Sequence, residues 1–369
     1  MPDIAFDAIN DALDRCSDLG FVQFPGFATH WPMGAETMIE LGHPELVPDW
    51  LELYRTKHVH PDRPDSVGRI DGTDEASWRP ALGRMDRTTD WQQFFDRELA
   101  EKPWREVLVE WWPRLIIGAG AALTHGLIRT THIVRSFDRS SESPTQLQLG
   151  ELAMGLGLWA GYHVQQPGTP LTLTGNRQLP ALLASIPRVD LSTFTLDLRT
   201  AGAFAHVYDI SGWVDAVGQL ETPVDLQAAI SDVTHAFARV NLAHYDQFAV
   251  PLIHTVTAPA ALRLMLPHLP EKYHLPSFVA VWQAAAALLS TFAQPRPTEL
   301  VAEKDSVPGD PPSEQELTER AIEHGDEHAM KYIEACMREY RIRPDALYLH
   351  AAEHMLGRLP NYYRKPKDA

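Results

Sequence analysis

Apolar residues in this chain return at intervals of three and four, and that rhythm restricts it to helices. Ile4, Ala8, Ile9, Ala12 and Leu13 keep the spacing near the N-terminus, and Leu317, Ala321, Ile322, Ile333 and Met337 keep it near the C-terminus. Residues so spaced share one face of a helix, whereas a half-buried strand needs strict alternation. Pro32 and Gly42 bracket a helix over 33–41, in the manner of a first-turn proline and a terminal glycine. Further helices are predicted over 44–57, 89–101, 103–111, 114–135, 146–165, 222–240, 242–256, 275–293, 314–341 and 345–357. Only 194–198, where apolar residues alternate with threonine and aspartate, reads as a strand. Prolines and charges crowd 294–312, which predicts a surface loop or lid. With 369 residues, 44% of them hydrophobic, the expectation is one large all-α domain, spanning residues 1–369, around a buried cavity.

The formal charge of -17 argues against a nucleic-acid partner, because phosphate binding depends on clustered Lys and Arg. The acidic N-terminus lacks an apolar signal core, and no run approaches the ~18 uninterrupted apolar residues of a membrane span. A soluble, cytoplasmic protein without a membrane partner is therefore expected. Cys16 and Cys336 are the only cysteines and form no CxxC pair. A bound metal would then have to be held by histidine, carboxylate or a less usual donor.

Histidine is in generous supply, with 17 in the chain. His125 and His132 stand seven residues apart on a predicted helix, so they point to nearly the same side with Arg129 between them. The rise between their backbones is about 10 Å, long for two ligands of one ion. Either the helix bends at Gly126 or only one of the two binds. His328 and Lys331, three apart, can reach a common point. His30 precedes Trp31-Pro32 at a helix start, and His254 lies in a stretch whose neighbours predict burial. Each of these has a plainer reading as a hydrogen-bonded core histidine or a surface charge pair. His206 reads as structural, and His58 and His60 as part of a solvated loop.

The segment Leu115-Ile116-Ile117-Gly118-Ala119-Gly120-Ala121-Ala122-Leu123 imitates a dinucleotide-binding turn, with Asp138 about 20 residues on. The third glycine position holds Leu123, and the βαβ alternation is missing. Close helix packing explains the small residues better. A nucleophile elbow, a P-loop and an HExxH motif are all absent from the sequence.

The runs Trp112-Pro113-Arg114-Leu115, Thr124-His125-Gly126-Leu127-Ile128-Arg129-Thr130 and His132-Ile133-Val134-Arg135 resemble the questin oxidase-like family. So do Glu151-Leu152-Ala153-Met154-Gly155-Leu156 with Trp159 and Tyr162, Ile253-His254-Thr255-Val256-Thr257, and Asp326-Glu327-His328-Ala329-Met330-Lys331. The similarity runs nearly end to end. Where the family has Asn-His-Gly-Pro-Met, this chain has Thr29-His30-Trp31-Pro32-Met33, so an indole stands beside the retained histidine. The resemblance implies oxidative, Baeyer–Villiger-like ring opening of aromatic polyketides such as anthraquinones. It implies dioxygen and Fe(II) as reactant and cofactor, with NADPH as an external reductant. It also implies an iron held by four histidines and a carboxylated lysine. Lys331 takes the lysine position, and the histidines come from His30, His125, His132, His254 and His328, one of which would lie behind the ligands. Arg129 and Tyr162 are then expected to act on the substrate, and Trp31 and Trp159 to stack on its rings. A metal-free NADPH- or flavin-dependent monooxygenase and a non-catalytic ligand-binding protein are the alternatives.

Overall fold

The computed structural model describes residues 4–139, 143–190, 204–243, 248–293, 309–359 and 361. Its helices are α1 (Ile4–Arg15), α2 (Trp31–Glu40), α3 (Val47–Lys57), α4 (Glu75–Trp78), α5 (Thr88–Glu101), α6 (Trp104–Leu115), α7 (His125–Phe137) and α8 (Gln146–Gly161). There follow α9 (Leu179–Ser185), α10 (Trp213–Val217), α11 (Leu226–Ala243), α12 (Ala249–Met265), α13 (His274–Phe292), α14 (Glu314–His324), α15 (Glu327–Ile342) and α16 (Ala346–Leu356). The fold is all-α. A two-stranded antiparallel hairpin, Val22–Gln23 against Phe27–Ala28, is the one named sheet among the described residues.

One apolar core runs from Ile9 to Leu359 and takes in side chains from nearly every helix. Two stretches, Ala249–His268 and Glu271–Phe292, are long and apolar enough to cross a membrane, yet 83% of each is buried inside the fold. Within this core α2 packs on α7, α7 on α12, α12 on α15, and α15 back on α2. That closed ring of four helices frames the site described below.

Two predicted helices are broken, and both breaks shape that ring. The 114–135 helix stops at Leu115, passes through a 3-10 turn, and restarts only at His125. Between them Ala122, Leu123 and Thr124 all take positive φ, at 49, 54 and 72°. A left-handed backbone is disfavoured for such residues by about 1–2 kcal/mol each, so their side chains give no warning of it. The 314–341 helix divides at Gly325, whose φ of 73° ends α14, and Asp326 caps α15 by accepting the His328 and Ala329 amides at 2.9 and 3.2 Å. The expected 242–256 helix is α12, which starts and ends later. The strand expected at 194–198 lies outside the described residues, as does 294–308 of the proline-rich loop.

Gly118 and Gly120 are packing positions. A Cβ on Gly118 would meet the His163 ring at 2.4 Å, and one on Gly120 would meet Gln166 at 2.7 Å. No strand flanks them among the described residues, so this segment does not build a nucleotide-binding turn.

Candidate metal centre

Four of the candidate histidines come together, one from each helix of the ring. His30 is the N-cap of α2, His125 opens α7, His254 lies within α12, and His328 sits in the first turn of α15. The His30 ring centroid is 4.5 Å from that of His125 and 4.4 Å from that of His328, and His125 is 4.6 Å from His254. All four are buried, as is Lys331 one turn along α15.

The backbone dictates which nitrogen two of these rings present. His125 Nδ1 stands 2.5 Å from the Ala122 carbonyl, supplied by the left-handed turn. His254 Nδ1 stands 2.9 Å from the Val250 carbonyl and 3.2 Å from that of Pro251. Carbonyls only accept, so each Nδ1 must carry the proton, and each Nε2 exposes a lone pair. Those two Nε2 atoms are 3.3 Å apart. Facing lone pairs repel unless a cation lies between them. Two nitrogens bound at right angles to one ion at the usual ~2.1 Å would lie about 3 Å apart, so the spacing suits a shared metal.

The third and fourth rings fit the same reading. Both ring nitrogens of His30 are buried without a hydrogen-bond partner, and so is Nδ1 of His328. Donor atoms of His30, His125 and His328 all lie within 4.8 Å of one another. Burial, helped by Lys331 and the neighbouring rings, holds the pKa of His30, His125 and His254 well below the usual histidine range. They are neutral, which is the form that binds metals.

Lys331 Nζ lies 4.0 Å from Met33 Sδ. Burial lowers its pKa to about 8, against the pull of Glu327 and Asp326. An amine poised there is neutral for an appreciable fraction of the time near neutral pH and can act as a nucleophile or ligand. Three helix N-termini, those of α2, α7 and α15, meet at the cluster. Their dipoles favour negative charge, which suits the Asp326 cap, the buried Glu327 and an anionic oxygen donor.

His132, the fifth candidate, lies apart from the four clustered rings. Two turns along α7 from His125, it turns its Nδ1 onto Glu36 at 2.6 Å. Glu36 also accepts from Arg135 Nε at 2.6 Å, and Arg135 reaches Glu334 at 2.8 Å. This buried network joins α2, α7 and α15 through residues that lie six to ten positions along the chain from His30, His125 and His328. The Arg135 and His132 contacts hold the Glu36 carboxyl far below the ordinary carboxylate range in spite of its burial.

Trp159, expected to stack on substrate, is placed in the packing behind α7. Its indole is fully buried, donates to the Gly118 carbonyl at 3.1 Å and fills the space over Gly126, where a Cβ would approach the ring to 2.6 Å. That contact, rather than a bend between two ligands, is what Gly126 serves. Tyr162 is half-buried at the end of α8 beside Ala122, and burial pushes its hydroxyl up to about 12. Arg129 is buried and doubly bonded to Glu151 at 2.6 and 2.8 Å, with Nη1 left without a partner. Trp31 follows His30 directly, with its indole Nε1 buried and unpartnered.

Several groups at the site had no role in the sequence reading. Tyr54 accepts the His30 amide at 3.0 Å and donates to Gln23, while Gln23 Nε2 donates to His58 at 3.2 Å. The loop expected to be solvated is therefore part of the support: His58 and His60 are half-buried, with ring centroids 4.5 and 5.6 Å from Tyr54. Gly34 lets α2 close on α3, since a Cβ there would meet Trp50 at 2.4 Å. Glu327 is buried 3.8 Å from Nδ1 of both His30 and His328. No protein-family model matches the chain, and no curated protein is similar to it at a significant level.

Proposed function

We propose that this chain is a non-haem iron oxygenase that opens a ring of a polycyclic aromatic or quinone substrate, such as an anthraquinone. The observation that carries the proposal is the pair of buried Nε2 lone pairs on His125 and His254, aimed at each other across 3.3 Å by backbone carbonyls. His30, His125, His254 and His328 would hold the ion and Lys331 would supply a fifth donor. A set rich in imidazole with one oxygen or amine accommodates Fe(II), as it does Zn(II), Cu(II) or Ni(II), and oxygenase chemistry calls for the iron. When bound, iron supplies the one-electron steps that let dioxygen react with a closed-shell aromatic.

The protein's own contribution is placement and charge. Neutral Lys331 can add carbon dioxide: its lone pair forms an N–C bond as one C=O π pair moves onto oxygen, the nitrogen gives up a proton to water, and an anionic carbamate oxygen takes the place of the neutral amine. The three converging helix N-termini favour that anion. Arg129, with Glu151 balancing its charge, keeps Nη1 to donate to a phenolate or quinone oxygen. Trp31 offers an apolar face next to His30 for a flat ring. NADPH enters this scheme only as a reductant from solution.

The test is oxygen uptake by chain loaded anaerobically with Fe(II), using hydroquinones of increasing ring number. Uptake coupled to a ring-opened product one or more oxygen atoms heavier is expected. Full iron loading with no uptake above that of free Fe(II) would reduce the protein to a metal-binding one.

A further inference from the structure

His254 is in mid-helix and finds its Nδ1 acceptor on the preceding turn, at Val250, while His125 uses Ala122 from the left-handed turn. His30 and His328 stand at helix starts, where no preceding turn offers a carbonyl. Their orientation has to come from a side chain. Nδ1 of each lies 3.8 Å from the same atom, Glu327 Oε1. His328 Nδ1 also lies 3.4 Å from Asp326 Oδ1, but that oxygen already accepts the two capping amides at 2.9 and 3.2 Å.

From this we infer that Glu327 is the positioning carboxylate of the metal centre, accepting Nδ1–H from both His30 and His328 when the ion draws the rings inward. The inference rests on the metal-binding reading above. It makes the site regular: all four imidazoles present an Nδ1–H to an oxygen and turn Nε2 toward the ion. Metal-bound histidines almost always donate their other N–H in this way. A single carboxylate shared by α2 and α15 also couples the two helices that the backbone leaves unoriented. Its buried negative charge offsets part of the charge of a divalent ion.

Two measurements test it, and neither depends on turnover. In Zn(II)-loaded wild-type chain carrying 15N-labelled histidine, long-range proton–nitrogen correlations should show protonated Nδ1 and metal-bound Nε2 on all four rings. Binding through Nδ1 at His30 or His328 would overturn the inference. In Co(II) titrations, Glu327→Ala should weaken binding about 10- to 100-fold. Glu327→Gln, whose amide oxygen still accepts, should recover most of that loss with the Co(II) absorption bands unmoved. A Gln variant as weak as Ala would mean that charge alone matters. Shifted bands in that variant would mean that Glu327 is itself a ligand, and unchanged affinity in Glu327→Ala would mean no role; each of these refutes the proposal. Glu52→Gln, at an exposed position of α3, is the control, and if Glu327→Ala does not fold, the wild-type tautomers decide. Wild-type chain that takes up neither ion sinks the metal centre altogether, whereas tight binding through the wrong nitrogens sinks only the role given to Glu327.

Discussion

Replacing Glu36 by leucine tests whether the buried network that absorbed His132 holds the ligand helices in place. The carboxylate accepts from His132 Nδ1 at 2.6 Å, from Arg135 Nε at 2.6 Å and from Arg135 Nη2. Removing one member of a buried ion pair costs roughly 3–5 kcal/mol, because its partner is left charged and desolvated. Here Arg135 keeps Glu334 at 2.8 Å and Glu40 at 3.6 Å, so the loss should fall near the lower end, about 3 kcal/mol. Glu36→Gln retains the shape and one acceptor and should cost about 1–2 kcal/mol. Urea unfolding of the metal-free chain measures both. The network ties α2 and α7 beyond the turns that carry His30 and His125, so metal affinity should also fall, by roughly 10-fold. A Glu36→Leu protein within about 1 kcal/mol of wild type and with unchanged metal affinity would mean that the network does not hold these helices.

His125→Ala should strip the metal while the fold survives, whereas His132→Ala should keep it at roughly 10-fold weaker affinity, both read by metal titration. Lys331→Met should lose metal affinity or oxygen uptake far more than Lys57→Met, which changes an exposed lysine at the end of α3; equal behaviour would return Lys331 to an ordinary helical role. Gly126→Ala should destabilise the fold by about 1–3 kcal/mol through its 2.6 Å approach to Trp159, and unchanged thermal stability would contradict that packing. Glu334 contributes a pH dependence of known sign. Arg135 and Arg338 outweigh its burial and lower its pKa from 4.5 to about 2. The unfolded chain thus takes up this proton first, and the stabilisation present above 4.5 is lost as pH falls through 2. Glu334→Gln should flatten acid unfolding in that window.

Helices were legible because their apolar spacing is local, and so were the residues that meet at the centre: His30, His125, His254, His328 and Lys331 all stand out in apolar surroundings. What the spacing could not show was which of two histidines on one face joins the cluster. That depends on Glu36, a carboxylate 96 residues away from His132 in the chain. Nor could it show the left-handed turn at Ala122–Leu123–Thr124, since alanine and leucine favour helix and only tertiary contacts impose the other conformation. The break before α15 was readable in principle, because Gly325-Asp326 is a helix end followed by a cap. The packing of Trp159 is not legible either, because a buried tryptophan and a stacking one look alike in sequence. The partner Gly126, which makes room for its ring, is 33 residues upstream by the numbering.

If the metal-centre reading holds, His30, His125, His254, His328 and Lys331 together enclose one transition-metal ion. Elemental analysis of untagged chain, purified without chelator and then offered Fe(II) anaerobically, tests it most directly. About one iron per chain is expected, with binding lost in His254→Ala because one of the two opposed Nε2 donors is gone. A clean preparation that contains no transition metal and gains none would show that the four histidines bind no such ion.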